Sequence, residues 1–147
     1  MNSVAELKSI VKSRFDDKKI SEIKSNLAQC IGTEGWHRVR KGDNSFLFTD
    51  GVKMMAEMCE AYWLITYIYS YQTALPKHIH DDMQVWEVVV YENNHAKITL
   101  SGGNLKKIFA EEIPFTDFPL RDIKLWVEQT GDMDGNLTNV LLLPSEH

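Results

Sequence analysis

His78-Ile79-His80-Asp81-Asp82 is the densest run of ligand-type side chains in the chain. In an extended loop His78 and His80 point the same way with carboxylates behind them, and imidazole plus carboxylate is a donor set for zinc or iron. A stable site needs a third protein ligand, and the spacing of His37, His95 and His147 selects none of them. The run is therefore an incomplete metal site, and the expectation is no metal and no other cofactor. A second pattern repeats: Thr49-Asp50 and Thr116-Asp117 each follow a Phe. Side by side, Thr49, Asp50, Thr116 and Asp117 would form a shallow polar binding site. Taken apart, such side chains bond to nearby backbone N–H groups. Asp132, Asp134 and Asn136 imitate the opening of a calcium loop, but Leu137 and Leu143 stand where that loop needs Gly and Glu. Ser101-Gly102-Gly103-Asn104 is a turn, too short for a phosphate loop. No nucleophile and base stand at a recognisable spacing, so no catalytic residue is assigned and the balance is against an enzyme.

The elements that must position these residues follow from pattern. Ser3 and Glu6 make a capping box for a first helix, with Val4, Leu7, Ile10 and Val11 on its buried face. Asp16 or Asp17 caps a second, whose stripe is Ile20, Ile23, Leu27 and Ile31, with Gly32 as its stop. Trp36–Arg40 and Phe46–Phe48 flank turn chemistry at Lys41-Gly42-Asp43-Asn44 and predict a hairpin. Thr49 and Asp50 then open one long helix running to Gln72, apolar or aromatic nearly all round from Tyr62 to Tyr71. Thr73–Asp82 reads as a loop. Met83–Tyr91 is β-branched and aromatic and reads as a strand, followed by strands at Lys97–Leu100, Leu105–Ile113, Ile123–Glu128 and Leu137–Leu143. Pro114–Leu120, with two prolines, cannot be regular structure inside a sheet. Helices first and strands after give an α+β domain spanning 1–147. Its helical part is 1–32 and its core 33–147, with the aromatic helix lying on a mainly antiparallel sheet.

At 147 residues with 44% hydrophobic and 25% charged side chains, this is the composition of one globular domain. A net charge of −5 argues against a nucleic-acid surface built on net positive charge and fits contact with a basic partner. The acidic residues that a partner would meet are Asp16, Asp17, Asp81, Asp82, Glu111, Glu112, Asp132 and Asp134. Cys30 and Cys59 lack metal or redox spacing and read as reduced thiols of a cytoplasmic protein. The charged N-terminus lacks the apolar core of a signal peptide, and Tyr62–Tyr71 is about half the length that crosses a bilayer. Tyr67 and Tyr71 fit two settings: an aromatic core, or an interface with a partner or a second copy in a homodimer. Phe115 and Phe118, held between prolines, are expected to plug the core.

FLFTDGVKMMAE, AYWLITYIYSYQ, QVWEVVVY and EEIPFTDFPL together resemble a family of small bacterial proteins of unknown function from phage and plasmid contexts, with TDG, YWL and TDFPL motifs, over about Thr33 to Val127. The resemblance brings no catalytic residues. It implies a bacterial accessory protein that acts by binding another macromolecule, in the manner of an inhibitor of host defence. The other function expected of such a chain is a small enzyme or ligand-binding domain, using Thr49, Asp50, Thr116 and Asp117 or His78 and His80.

Overall fold

The computed structural model describes residues 15–80, 83–104, 106–131 and 135–147. The helix expected from Ser3 lies outside them, as do Asp81, Asp82, Asp132 and Asp134, and the His78 side chain. The described elements are α1 (Asp17–Ala28), β1 (Trp36–Arg38), β2 (Phe46–Thr49), α2 (Asp50–Met58), α3 (Tyr62–Tyr71), α4 (Lys77–His80), β3 (Gln84–Val90), β4 (Ala96–Gly102), β5 (Lys107–Ile113), β6 (Asp122–Gly131), β7 (Leu137–Leu142) and a 3-10 turn at Pro144–Glu146. They form the expected α+β architecture.

The seven strands make one sheet in the order β1-β2-β7-β6-β3-β4-β5. Every neighbouring pair is antiparallel except β2 with β7. Period-two alternation decides which face is buried. Trp86 is opposite Leu100 and Leu125, and Val88 is opposite Ile98 and Ile123, all inward and all buried. Helix residues Val52, Met55, Leu64, Ile65 and Ile68 complete the same core. The other face pairs Val85 with Trp126, and Glu87 with Lys124 at 3.9 Å.

Asp16 caps α1 as expected, accepting from the Lys19 N–H at 2.8 Å. The helix stops at Ala28, earlier than its apolar stripe implied. Gln29 and Cys30 bond back to Asn26 and Leu27 in a tightened last turn, so Ile31 is 83% exposed and Gly32 lies beyond the cap.

The single helix expected from Asp50 to Gln72 is two. The Ala61 N–H bonds to the Ala56 carbonyl at 2.8 Å, and Glu60 takes a left-handed φ of 52°. This is the Schellman arrangement, completed by Ala56 and Ala61, both fully buried, as its apolar contact. Nothing in the composition announces it, because the left-handed position holds Glu where Gly is usual. The break lets α3 roll independently of α2. Tyr62, Thr66 and Ser70 then form its wet face, while Trp63, Tyr67, Tyr69 and Tyr71 flank the buried stripe.

Candidate functional site

The residues Thr-Asp-Gly at 49–51 are tied to the segment before β1 and to the turn after β7. Thr49 ends β2 and caps α2, its Oγ1 accepting from the Val52 N–H at 3.3 Å and donating to Glu146 Oε1 at 2.6 Å. Asp50 accepts from the N–H groups of Glu34 and Gly35, both at 3.0 Å, and meets His37 Nε2 at 2.8 Å. The bond to His37, then the two backbone donors, hold its carboxyl down at about 2. Gly51 donates to Glu146 Oε2 at 3.1 Å, and a Cβ there would lie 2.6 Å from that carboxylate. Glu146 also accepts from the Leu143 N–H at 2.9 Å. One carboxylate thus sits on the free N–H end of α2, where the helix dipole favours it. The motif is a clasp between β2, α2 and the chain's last turn.

Thr116 is buried and its Oγ1 accepts from the Phe118 N–H at 3.1 Å, while its own N–H bonds to the Asn94 carbonyl at 2.9 Å. Thr49 and Asp50 bond to the β1–β2 side and the last turn; Thr116 bonds beside the β3–β4 turn. Thr49 and Thr116 therefore bond to different parts of the fold. Phe118 plugs the core edge-on to Trp63 at 6.5 Å, while Phe115 is 37% exposed.

Tyr67 and Tyr71 pack with Trp86 and Phe109 where α3 crosses the sheet, with Tyr71 stacked on Phe109 at 4.9 Å and 25°. The Tyr71 hydroxyl donates to Glu111 at 2.9 Å. The Tyr67 hydroxyl is buried without a hydrogen-bond partner among the described residues. Burial first, then the nearby Tyr71 hydroxyl and Glu111 carboxylate, push its pKa above the ordinary tyrosine range.

The segment carrying His80 is not extended: Lys77–His80 forms one helical turn. That turn aims His80 inward. Its Nε2 meets the Gln72 carbonyl at 2.8 Å, and its Nδ1 meets the Asn139 amide at 3.0 Å. A carbonyl only accepts and an amide nitrogen only donates, so the arrangement fits an imidazole carrying its proton on Nε2. Both ring nitrogens are engaged, and no metal-holding cluster occurs among the described residues. Behind His80, Gln72 and Gln84 exchange amide hydrogen bonds at 3.0 and 3.1 Å. Trp86 Nε1 donates to Gln84 Oε1 at 2.9 Å, and Asn139 donates to Gln72 Oε1 at 3.3 Å. Gln84 is 1% exposed, so each of these bonds replaces one that water would have supplied.

This network floors a cleft of about 610 Å³ between α3, α4, β2 and β7. Arg40, Asp43, Tyr69, Ser70, Thr73 and Gln129 stand around it. Asp43 is held rigidly. One oxygen accepts from the Ser45 N–H at 2.9 Å and from the Ser45 hydroxyl, and the other from the Tyr69 hydroxyl. The Ser45 hydroxyl, then Tyr69, bring its carboxyl down to about 2. The cleft has the size of a ligand site and a preorganised polar floor. Pattern reading missed Gln72, Gln84 and Asn139. The signal was present in parity: Gln84 stands in phase with Trp86 and Val88, and Asn139 with Leu141, so both amides had to face the core.

A family model described as a family of unknown function, DUF6876, matches residues 21–147. No curated protein and no solved structure matches the chain.

Proposed function

Because the chain belongs to this family of unknown function, its role has to be read from its own side chains, and we propose that it is a non-enzymatic binding protein whose cleft receives a polar segment of another macromolecule. The observation that carries this is the commitment of both His80 nitrogens. Among the described lining residues His80 is the one imidazole, and it is bonded to Gln72 and Asn139, which leaves a fixed polar surface. A preorganised surface loses little entropy on binding and is suited to recognition. The net charge of −5 supports a basic partner surface. On this reading the protein is an accessory factor of a phage or plasmid, and the partner is a host protein whose defence role it inhibits.

The test is affinity capture from bacterial lysate with the wild type, with the rim variants Thr73→Arg and Ser70→Arg, and with Lys124→Glu on the opposite sheet face. One stoichiometric partner lost by both rim variants and kept by Lys124→Glu is the expected result. No partner, or one kept by every variant, overturns the reading. The cleft volume of about 610 Å³ favours one alternative, a small-ligand site. Native mass spectrometry of the purified protein would then show a bound molecule that Arg40→Glu loses.

A further inference from the structure

The two ends of the sheet differ. β1 closes one with three residues, whereas β5 closes the other with seven. An edge strand leaves a row of backbone N–H and C=O groups without protein partners, and such a row is a template for another strand. The sequence along this edge, from Lys106 to Glu112, is Lys-Lys-Ile-Phe-Ala-Glu-Glu. Read backwards, it carries the opposite charge at each charged position.

We propose that β5 pairs antiparallel with β5 of a second copy, centred on Phe109, joining two sheets across a two-fold axis. In that register Lys106 and Lys107 of each chain face the Glu112 and Glu111 end of the other across the irregularity that β5 makes at Ile108, within reach of their long side chains. A parallel arrangement would set lysine on lysine and glutamate on glutamate, so the charges select the antiparallel one. Two-fold pairing of one surface with itself is the commonest form of oligomer. Charge of one sign along an edge repels a second copy of it; here equal numbers of both signs are segregated to the two ends, so a reversed copy presents the complement. All four charged side chains are exposed. Glu111 is already held by the Tyr71 hydroxyl at 2.9 Å, which fixes one carboxylate in place. The half-buried Ile108 and Phe109 lie between the charges, and the stack of Phe109 on Tyr71 ends at this open edge. A second strand would cover it.

Sedimentation velocity on the full chain tests this. The wild type is expected at twice the chain mass of 16.9 kDa. Lys106→Glu with Lys107→Glu, and separately Glu111→Lys with Glu112→Lys, should each give a folded monomer by circular dichroism. Mixing the two should restore a dimer. Glu112→Lys alone, which leaves the Tyr71 bond intact, should weaken the dimer at least tenfold and guards against misfolding of the double variant. A wild type that stays monomeric up to millimolar concentration overturns the proposal. So does a dimer that persists in both charge-reversed variants.

Discussion

Gly51→Ala tests whether the clasp at the start of α2 is a steric fit. In a helix interior alanine stabilises by about 0.5–1 kcal/mol over glycine, so on propensity alone the change is favourable. The added Cβ, however, would lie 2.6 Å from the Glu146 carboxylate, closer than carbon and oxygen pack, so that carboxylate must move. It accepts from Thr49, Gly51 and Leu143, and moving it weakens these bonds together. Hydrogen bonds to charged groups are worth about 1.5–3 kcal/mol each, less where water can substitute, and Glu146 is only half-buried. Losing the better part of two, against the propensity gain, leaves a net destabilisation of about 2 kcal/mol. That corresponds to roughly 4–8 °C in Tm for a chain of this size. The assay is urea unfolding of Gly51→Ala, Glu146→Ala and the double variant. With Glu146 removed, the Cβ has nothing to strike, so Gly51→Ala should become neutral or stabilising in that background. An equal loss from Gly51→Ala in both backgrounds would refute the argument, because the two effects would then be independent.

Other consequences can be measured separately. Burial pushes the Cys59 thiol up to about 12, while Cys30 is half-exposed, so a thiol reagent should label one cysteine per native chain and the second only in denaturant. Asp43 and Asp50 both titrate near 2, below the unfolded value of about 3.9. Their depressed pKa values contribute stability that is fully present above pH ~4 and lost as pH falls toward 2. Urea midpoints from pH 2 to 7 should show this acid limb, and Asp43→Asn with Asp50→Asn should flatten it. Tyr67→Phe deletes a buried hydroxyl with no hydrogen-bond partner among the described residues and should leave stability unchanged or raise it by up to ~1 kcal/mol, whereas Tyr71→Phe loses the bond to Glu111. Gln84→Ala should cost about 2–4 kcal/mol in thermal unfolding, since it removes two bonds to Gln72 and leaves the buried Trp86 Nε1–H without its acceptor.

Met83–Tyr91 was legible as a β-branched and aromatic run, and Ile123–Glu128 because its apolar residues alternate with period two. The hairpin of β1 and β2 was legible from its turn chemistry. What could not be read was long-range pairing. Nothing in Phe46–Phe48 shows that its neighbour is Asn139–Leu141 in parallel, since both stretches are equally good strands for any partner. The helix break at Glu60 was hidden because tertiary burial of Ala56 and Ala61, rather than a glycine, holds the left-handed residue. The clasp was half legible: Thr49 and Asp50 were singled out as polar and well placed, but Glu146, which accepts from Thr49 and Gly51, is 95 residues from Gly51. The cleft was missed for a related reason. Parity assigns Gln84 and Asn139 to the dry side, but Gln72 and His80, the groups they bond, belong to other elements that strand pattern does not bring to them.

The position of β7 bears on how the chain can be made. It is the last strand in sequence yet stands between β2 and β6, the one link joining the β1-β2 hairpin to β6-β3-β4-β5. During synthesis the hairpin and the four-stranded piece therefore emerge as sheets with no common border. The flanks that receive β7 stay open until that strand is made, and such flanks are what chaperones and aggregation compete for. Closure joins residues from the two ends of the described chain in one event, and contacts so distant in sequence form slowly. A nascent chain halted before Leu137 should accordingly be captured by a holdase or degraded, and release of the final strand should be the step at which protease resistance appears all at once.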